Sequence, residues 1–412
     1  MRLMALAAMA LLLAGCDRDP LGERNAEPVN DWLVRIQLPD AELPVRLHLE
    51  PGVGAAWFSN GPERVEVPLV KSDGDGWILR FPAFNNTLRL EPAGEQLQGD
   101  LTLVKRGYEQ TMPLSAEPYD GYRFIPQPRP AVDVTGRWAV TFTEDDGMTS
   151  EAVGEFDQQG GDITGTFLTA KGDYRYLAGE VDGTRVMLST FDGAHAFVFT
   201  ATASPDGKLA GDFWSGTRWH ESWVAKRDFE ARLPDAYELT YLKEGYDRLE
   251  FTFPDLQGNP VSLSDEQFEG KVVLVSLAGS WCPNCADEMA FLAEVYREHA
   301  DRGLEIVTLL YEHFDDFELA AEQGRALAQK HGADFEILVA GISDKAAAAE
   351  TLPMLNHVLA FPTLIFIDRD GSVRHIHTGF AGPGTGQHYL DFKQKFSMLL
   401  DKLLEEEVTP GP

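Results

Sequence analysis

Val272-Val273-Leu274-Val275-Ser276-Leu277 leads into Trp281-Cys282-Pro283-Asn284-Cys285, and that into Ala286-Asp287-Glu288-Met289-Ala290-Phe291-Leu292. Apolar strand, short turn, CxxC and helix is an order that makes a reactive thiol. The strand fixes the site, the turn presents the first sulfur, and the helix N-terminus offers N–H groups and a partial positive charge to a thiolate. Two residues between the cysteines let one helical turn bring the sulfurs to bonding distance, where a disulfide can form and break. The chemistry implied is thiol–disulfide exchange.

The start of the chain says where that chemistry would take place. Arg2 is followed by an apolar run over residues 3–13, too short to span a bilayer. It ends in Leu13-Ala14-Gly15-Cys16, which resembles the lipobox of bacterial lipoproteins. That resemblance implies cleavage before Cys16 and lipidation of its sulfur, hence a membrane anchor without a transmembrane helix. The expected location is the bacterial cell envelope, facing the periplasm, with Asp17 favouring the inner membrane. The chain holds three cysteines, so a lipidated Cys16 leaves Cys282 and Cys285 as the one redox pair. The CxxC has no second CxxC or H-x₃-H to complete a zinc site, so no metal is expected.

The formal charge is −31, and −32 once Arg2 leaves with the signal (−31 minus 1). Such acidity argues against nucleic-acid partners and against a broad grip on anionic headgroups. From Trp32 to Lys226 short alternating runs, such as Val34-Arg35-Ile36-Gln37-Leu38 and Ala196-Phe197-Val198-Phe199, are separated by the pairs Asp75-Gly76, Asp182-Gly183 and Asp206-Gly207. This pattern predicts all-β, sandwich or barrel-like modules. Leu97-Gln98-Gly99-Asp100-Leu101 and Leu209-Ala210-Gly211-Asp212-Phe213 share a pattern read as a turn, and suggest two related units. Trp219 and Trp223 fall on one strand face, read with Trp138 and Trp214 as core filling.

Strands then alternate with helices, which predicts an α/β domain with a mixed sheet. Residues 251–403 resemble the TlpA-like (ResA-like) thiol–disulfide reductases of the thioredoxin superfamily. The residues that carry the likeness are Gly270-Lys271-Val272-Val273-Leu274-Val275, the Trp281–Cys285 motif, Glu288, Phe361-Pro362-Thr363 and the Asp368-Arg369-Asp370-Gly371 hairpin. The resemblance implies a thioredoxin-like fold with Cys282 as nucleophile and Cys285 as resolving thiol. It also implies a cis Pro362 facing them, Glu288 tuning proton transfer, and Trp281, Phe361 and Thr363 shaping the substrate-docking surface. Thioredoxin itself has an aspartate where this chain has Ser276, which makes Glu288 the expected proton carrier. The glycine-rich stretch Phe380 to Gly386 lacks the Lys-Ser/Thr of a phosphate loop and is read as a shaped loop near the site.

The expected organisation is a signal peptide (1–15), lipidated tether (16–31), β-rich modules (32–130 and 131–228), a helix-like linker (229–250), a thioredoxin-like domain (251–405) and a disordered tail (406–412). The function implied is a membrane-tethered reductase of disulfides in exported proteins, fed by a membrane electron donor. No cofactor is expected beyond the Cys282–Cys285 disulfide. The alternatives are a thiol peroxidase, disfavoured because Val275 and Gly279 stand where that pattern needs proline and a hydroxyl, and an envelope binding lipoprotein in which the β modules do the work.

Overall fold

A computed structural model describes residues 30–50 and 52–407. The signal, Cys16, nearly all of the tether and residues 408–412 lie outside the described residues. Among the described residues no helix is long and apolar enough to cross a membrane.

The first module is a nine-stranded antiparallel sheet. Its strands are β1 (Asp31–Gln37), β2 (Glu42–Glu50), β3 (Ala55–Asn60), β4 (Glu63–Glu66), β5 (Leu69–Asp73), β6 (Gly76–Phe81), β7 (Asn86–Ala93), β8 (Gln96–Lys105) and β9 (Tyr108–Pro118). The order β4-β3-β2-β1-β9-β8-β7-β6-β5 makes it an up-and-down meander, open between two strands consecutive in sequence. The second module comprises β10 (Gly136–Glu144), β11 (Thr149–Gln159), β12 (Asp162–Thr169), β13 (Gly172–Asp173), β14 (Leu177–Asp182), β15 (Arg185–Phe191), β16 (Ala196–Ala203), β17 (Leu209–Ser215) and β18 (Trp219–Arg227). Here β10 pairs with β18, and β11 with both β10 and β12, so eight strands close into a barrel with β13 appended to β12. The sequence left barrels or one large sandwich open; the structure has one closed barrel and one open sheet.

Alternation explains the barrel. Inward residues fill it with aromatic rings, Phe142, Phe167, Phe199, Phe213 and Trp223 among them, and Phe199 stacks on Phe213 at 4.3 Å. Trp138 and Trp223 belong to this core, whereas Trp214 packs against the open sheet's core and Trp219 is 46% exposed. Strands β15 and β16 are buried on both faces, because Phe191, Ala196 and Val198 point outward into the core of the open sheet. The repeated Leu-x-Gly-Asp motif lies within β8 and β17 rather than in turns. A Cβ on Gly99 would stand 1.9 Å from Arg89 O, and one on Gly211 1.8 Å from Thr200 O, so each glycine permits a close crossing with the neighbouring strand.

The third unit has the antiparallel pair β19 (Thr252–Pro254) and β20 (Pro260–Ser262). Its main sheet comprises β21 (Val272–Ala278), β22 (Leu304–Glu312), β23 (Glu336–Ile342), β24 (Thr363–Ile367) and β25 (Val373–Thr378). Its order is β23-β22-β21-β24-β25, parallel over β21, β22 and β23 and antiparallel at β24 and β25, the mixed sheet expected. Helices α1 (Pro283–His299), α2 (Phe317–His331) and α4 (Gln387–Glu405) cover one face. The β19–β20 hairpin and α3 (Lys345–Thr351) cover the other.

Residues 229–250 form no helix, against the helix-like expectation. Their backbone bonds are made elsewhere: Ala236 O accepts Thr378 N at 3.0 Å, Lys243 N donates to Met354 O at 2.8 Å, and Asp247 O accepts Val373 N at 2.8 Å. The segment is a strap tied to the third unit, and tertiary partners override its charged, helix-compatible composition.

Arg123 joins the two β modules. Its guanidinium donates to Ser189 O at 2.9 Å on β15 and to Ser59 O on β3, while its backbone N–H donates to Glu180 Oε1 at 2.7 Å. Replacing it with alanine would remove both guanidinium bonds between the modules and leave a void in a buried space, while the backbone bond to Glu180 stays. Arg123→Ala is therefore expected to cost about 3 kcal/mol, read as a lower urea midpoint with an unchanged slope.

Candidate active site

The site begins at the first turn of α1. Cys282 is the N-cap of this helix: its backbone is extended, Pro283 takes the first helical position, and Sγ accepts Cys285 N–H at 3.2 Å. Proline costs nothing there, since that N–H has no helical partner in any case. The sulfur thus sits where a helix stabilises negative charge. Cys282 and Cys285 are disulfide-bonded, with Cα atoms 5.2 Å apart. Cys285 is 1% exposed and Cys282 6%. The Phe361–Pro362 bond is cis, and Phe361 O lies 3.5 Å from Cys282 Sγ, within reach of an S–H donor in the reduced state.

Glu288 lies one turn further along α1, 1% exposed, beneath the central strand. Ser276 Oγ donates to its Oε2 at 2.6 Å, and its Oε1 has no partner among the described residues. The position where thioredoxin has its aspartate and the position expected to replace it are therefore in direct contact. Burial pushes the Glu288 carboxyl up to about 8, only partly opposed by the Ser276 hydrogen bond. It is a protonated acid near neutrality, suited to giving or taking a proton.

The remaining expected residues surround the sulfurs. Trp281 donates from Nε1 to Tyr311 O at 2.8 Å, stacks on His313 at 4.6 Å and meets Phe361 edge-on at 5.8 Å. Phe361 is buried, and Thr363 is wholly buried with its hydroxyl donated to Ala360 O at 2.8 Å. Thr363 thus holds the turn before β24 and offers no docking surface itself. Sequence reasoning missed Glu312, which ends β22 and accepts Ser280 N–H at 2.8 Å and Ser280 Oγ at 3.0 Å. Burial raises its pKa to about 7. An acid closing the apolar run Leu304 to Tyr311 was the available signal. Among the described residues no cluster of His, Cys, Asp and Glu is disposed to hold a metal ion.

The β modules cover this site. Arg175, between β13 and β14, donates to Pro283 O at 3.3 Å, to Asp287 on α1, and to Glu63 Oε1 of β4 at 2.7 Å, with Asp192 at 4.0 Å. Burial lowers the Arg175 pKa, but these carboxylates outweigh it and hold the guanidinium protonated. Asn284, inside the CxxC, donates to Asp173 O at 3.3 Å and Phe380 O at 3.4 Å, and Gly382 N donates to Asp173 Oδ2 at 2.7 Å. The glycine-rich stretch is thereby accounted for. A Cβ on Gly379 would stand 2.9 Å from Lys171 C, so the loop is shaped to the barrel as well as to the site.

A family profile described as Redoxin matches residues 243–388. Over 138 residues the chain is 30% identical to the thioredoxin-like protein YneN of Bacillus subtilis (strain 168), spanning 34% of this chain and 73% of that protein. It is 29% identical to the thiol-disulfide oxidoreductase ResA of Bacillus thuringiensis subsp. konkukian (strain 97-27), over 30% of this chain and 62% of ResA. A crystal structure of a thiol:disulfide interchange protein of the thioredoxin family from Chlorobium tepidum TLS aligns with 39% of this chain and 98% of its own, at 18% identity and a TM-score of 0.30.

Two outcomes are expected. Between the ordinary carboxyl pKa of 4.5 and about 8, folded Glu288 keeps a proton that the unfolded chain has released. Its contribution to stability is therefore full below 4.5 and is lost as pH rises through 8, by at most about 1.4 kcal/mol per pH unit. Glu288→Gln removes this loss, so the variant gains stability relative to the native chain as pH rises, read from urea midpoints across that window. Arg175→Met leaves Glu63, Asp192 and Asp287 facing one another in a largely buried space. It is expected to cost about 3 kcal/mol and to quicken alkylation of reduced Cys282 by iodoacetamide.

Proposed function

Because the chain belongs to the TlpA/ResA-like members of the thioredoxin superfamily, we propose that it is a thiol–disulfide oxidoreductase working through the Cys282–Cys285 pair. The observation that carries this reading is the placement of Cys282 as N-cap of α1, opposite Phe361 O and the cis Pro362.

In the reductive direction the Cys282 thiolate attacks one sulfur of a substrate disulfide. A Cys282–substrate bond forms, the substrate S–S bond breaks, and the departing thiolate takes up a proton. Glu288 in its ionised form, the minor one near neutrality, takes the Cys285 proton, and the Cys285 thiolate then attacks Cys282 Sγ. The internal disulfide forms and the second substrate thiol leaves with a proton. Two electrons pass from the dithiol to the substrate, and an external dithiol donor restores the starting state.

We assign disulfides of exported proteins as substrates and a membrane electron donor as the source of reducing equivalents. The lipobox-like Cys16 supports a lipid anchor in the cell envelope, facing the periplasm. The peroxidase alternative has no support at the position three residues before the nucleophile, where Gly279 offers no hydroxyl. Nor does the barrel's packed aromatic core favour a ligand cavity within it.

Cys285→Ala is expected to accumulate mixed disulfides on Cys282 with exported proteins, resolved by non-reducing gels, whereas Cys282→Ser forms none. Equal trapping by both variants would sink the assignment of the nucleophile.

A further inference from the structure

Exchange at Cys282 needs a proton acceptor for the attacking thiol and a proton donor for the departing one. The third unit places Glu288 on the helix of Cys285, under the sheet. On the other side, Cys282 opens on a cavity of about 200 Å³ whose opposite wall comes from the barrel. Asp192, His195 and Phe197 of the β15–β16 hairpin stand there, across from Trp281, Cys282 and Phe361.

This hairpin is clamped. Asn60 Nδ2 donates to Phe191 O at 3.1 Å, Asn86 Nδ2 to Gly193 O at 2.8 Å and Lys105 Nζ to Ala194 O at 2.9 Å, all from the open sheet. Asp192 Oδ1 accepts the N–H groups of Ala194 and His195 at 2.9 and 2.6 Å, which fixes its carboxylate. Its Oδ2 lies 3.0 Å from His195 Nδ1, and the ring stacks on Phe197 at 4.7 Å. An imidazole that donates Nδ1–H to a carboxylate keeps its lone pair on Nε2, the arrangement of an oriented base.

We propose that His195, oriented by Asp192, is the general base and general acid of exchange at Cys282, lent by the barrel to the thioredoxin-like site. This rests on the Cys282–Cys285 reading above. Nε2 takes the proton of the Cys282 thiol, and the thiolate attacks the substrate disulfide. As the new S–S bond forms and the old one breaks, the imidazolium returns that proton to the departing thiolate. The proton is conserved over the step, and the dithiol remains the source of the two electrons.

The charges acting on this imidazole are Asp192 on its own turn, Lys105 from the open sheet and Arg175 from the barrel; Asp173 and Tyr174 line the same cavity, and Glu63 and Asp287 act on Asp192. Burial lowers the His195 pKa, with Asp192 opposing, so the ring is neutral and ready to accept a proton near neutrality.

The test uses the reduced full chain and bis(hydroxyethyl) disulfide, small enough for the cavity, with thiol loss followed against pH. His195→Gln is expected to slow the reaction about 100-fold at neutral pH and to abolish an inflection lying below the ordinary histidine range. Asp192→Asn keeps the ring but loses its orienting carboxylate, so that inflection moves to lower pH. His195→Ala is expected to regain rate when imidazole is added, which a purely structural role would not allow. A His195→Gln chain that folds and keeps both rate and pH profile overturns the proposal. If instead Cys282→Ser reacts as fast as the native chain, the dithiol reading itself has failed.

Discussion

Everything around the dithiol depends on one guanidinium. Arg175 sits where three structural units meet, and its partners come one from each: Glu63 from the open sheet, Asp192 from the barrel and Asp287 from the helix that begins with the active cysteines. Several carboxylates cannot share a dry space unless a cation stands among them. The side chain holds a left-handed backbone, φ 56°, uncommon for any residue but glycine, asparagine or aspartate. A residue is kept in such a conformation when its surroundings over-determine it, as three carboxylates and the Pro283 carbonyl do here.

That junction changes the character of the CxxC. Here Cys282 and Phe361 are buried, and the access left is a cavity walled partly by the barrel. Gly379 and Gly384 serve the same end, since a side chain at either would press on the backbone of the barrel at Lys171 or Arg175. The two β modules form one body because the open sheet buries the outer face of β15 and β16, and that body is what the catalytic unit rests against.

The sequence made local chemistry legible and long-range placement illegible. Strand, CxxC and helix could be read because hydrophobic period and helix-end chemistry are encoded within a few neighbouring residues. Glu288 and Ser276 could be singled out separately by position, though their contact needs the sheet and helix in place. Glu312 was passed over because a lone acid closing an apolar run reads first as its solvated end, whereas here it holds the backbone of the active-site turn. The segment 229–250 misled for the opposite reason: its composition suits a helix, but the edge of β25 and the loop at 353–356 satisfy its backbone first. Nothing in the spacing of Asp173, Arg175, Asp192 and His195 announces a site, because the turns that carry them converge only when the barrel closes.

The shared junction makes the redox state and the seating of the barrel linked functions. Asp287 and the Pro283 carbonyl belong to the helix turn that carries the sulfurs, so opening the disulfide and shifting the barrel act on the same atoms. By reciprocity, a ligand that biases the seating of the barrel shifts the midpoint potential of the pair to the extent that the two redox states seat it differently, at about 30 mV for each 1.4 kcal/mol of coupling. The β modules are in that sense a potentiometer, and the potential of the intact chain need not equal that of its last third.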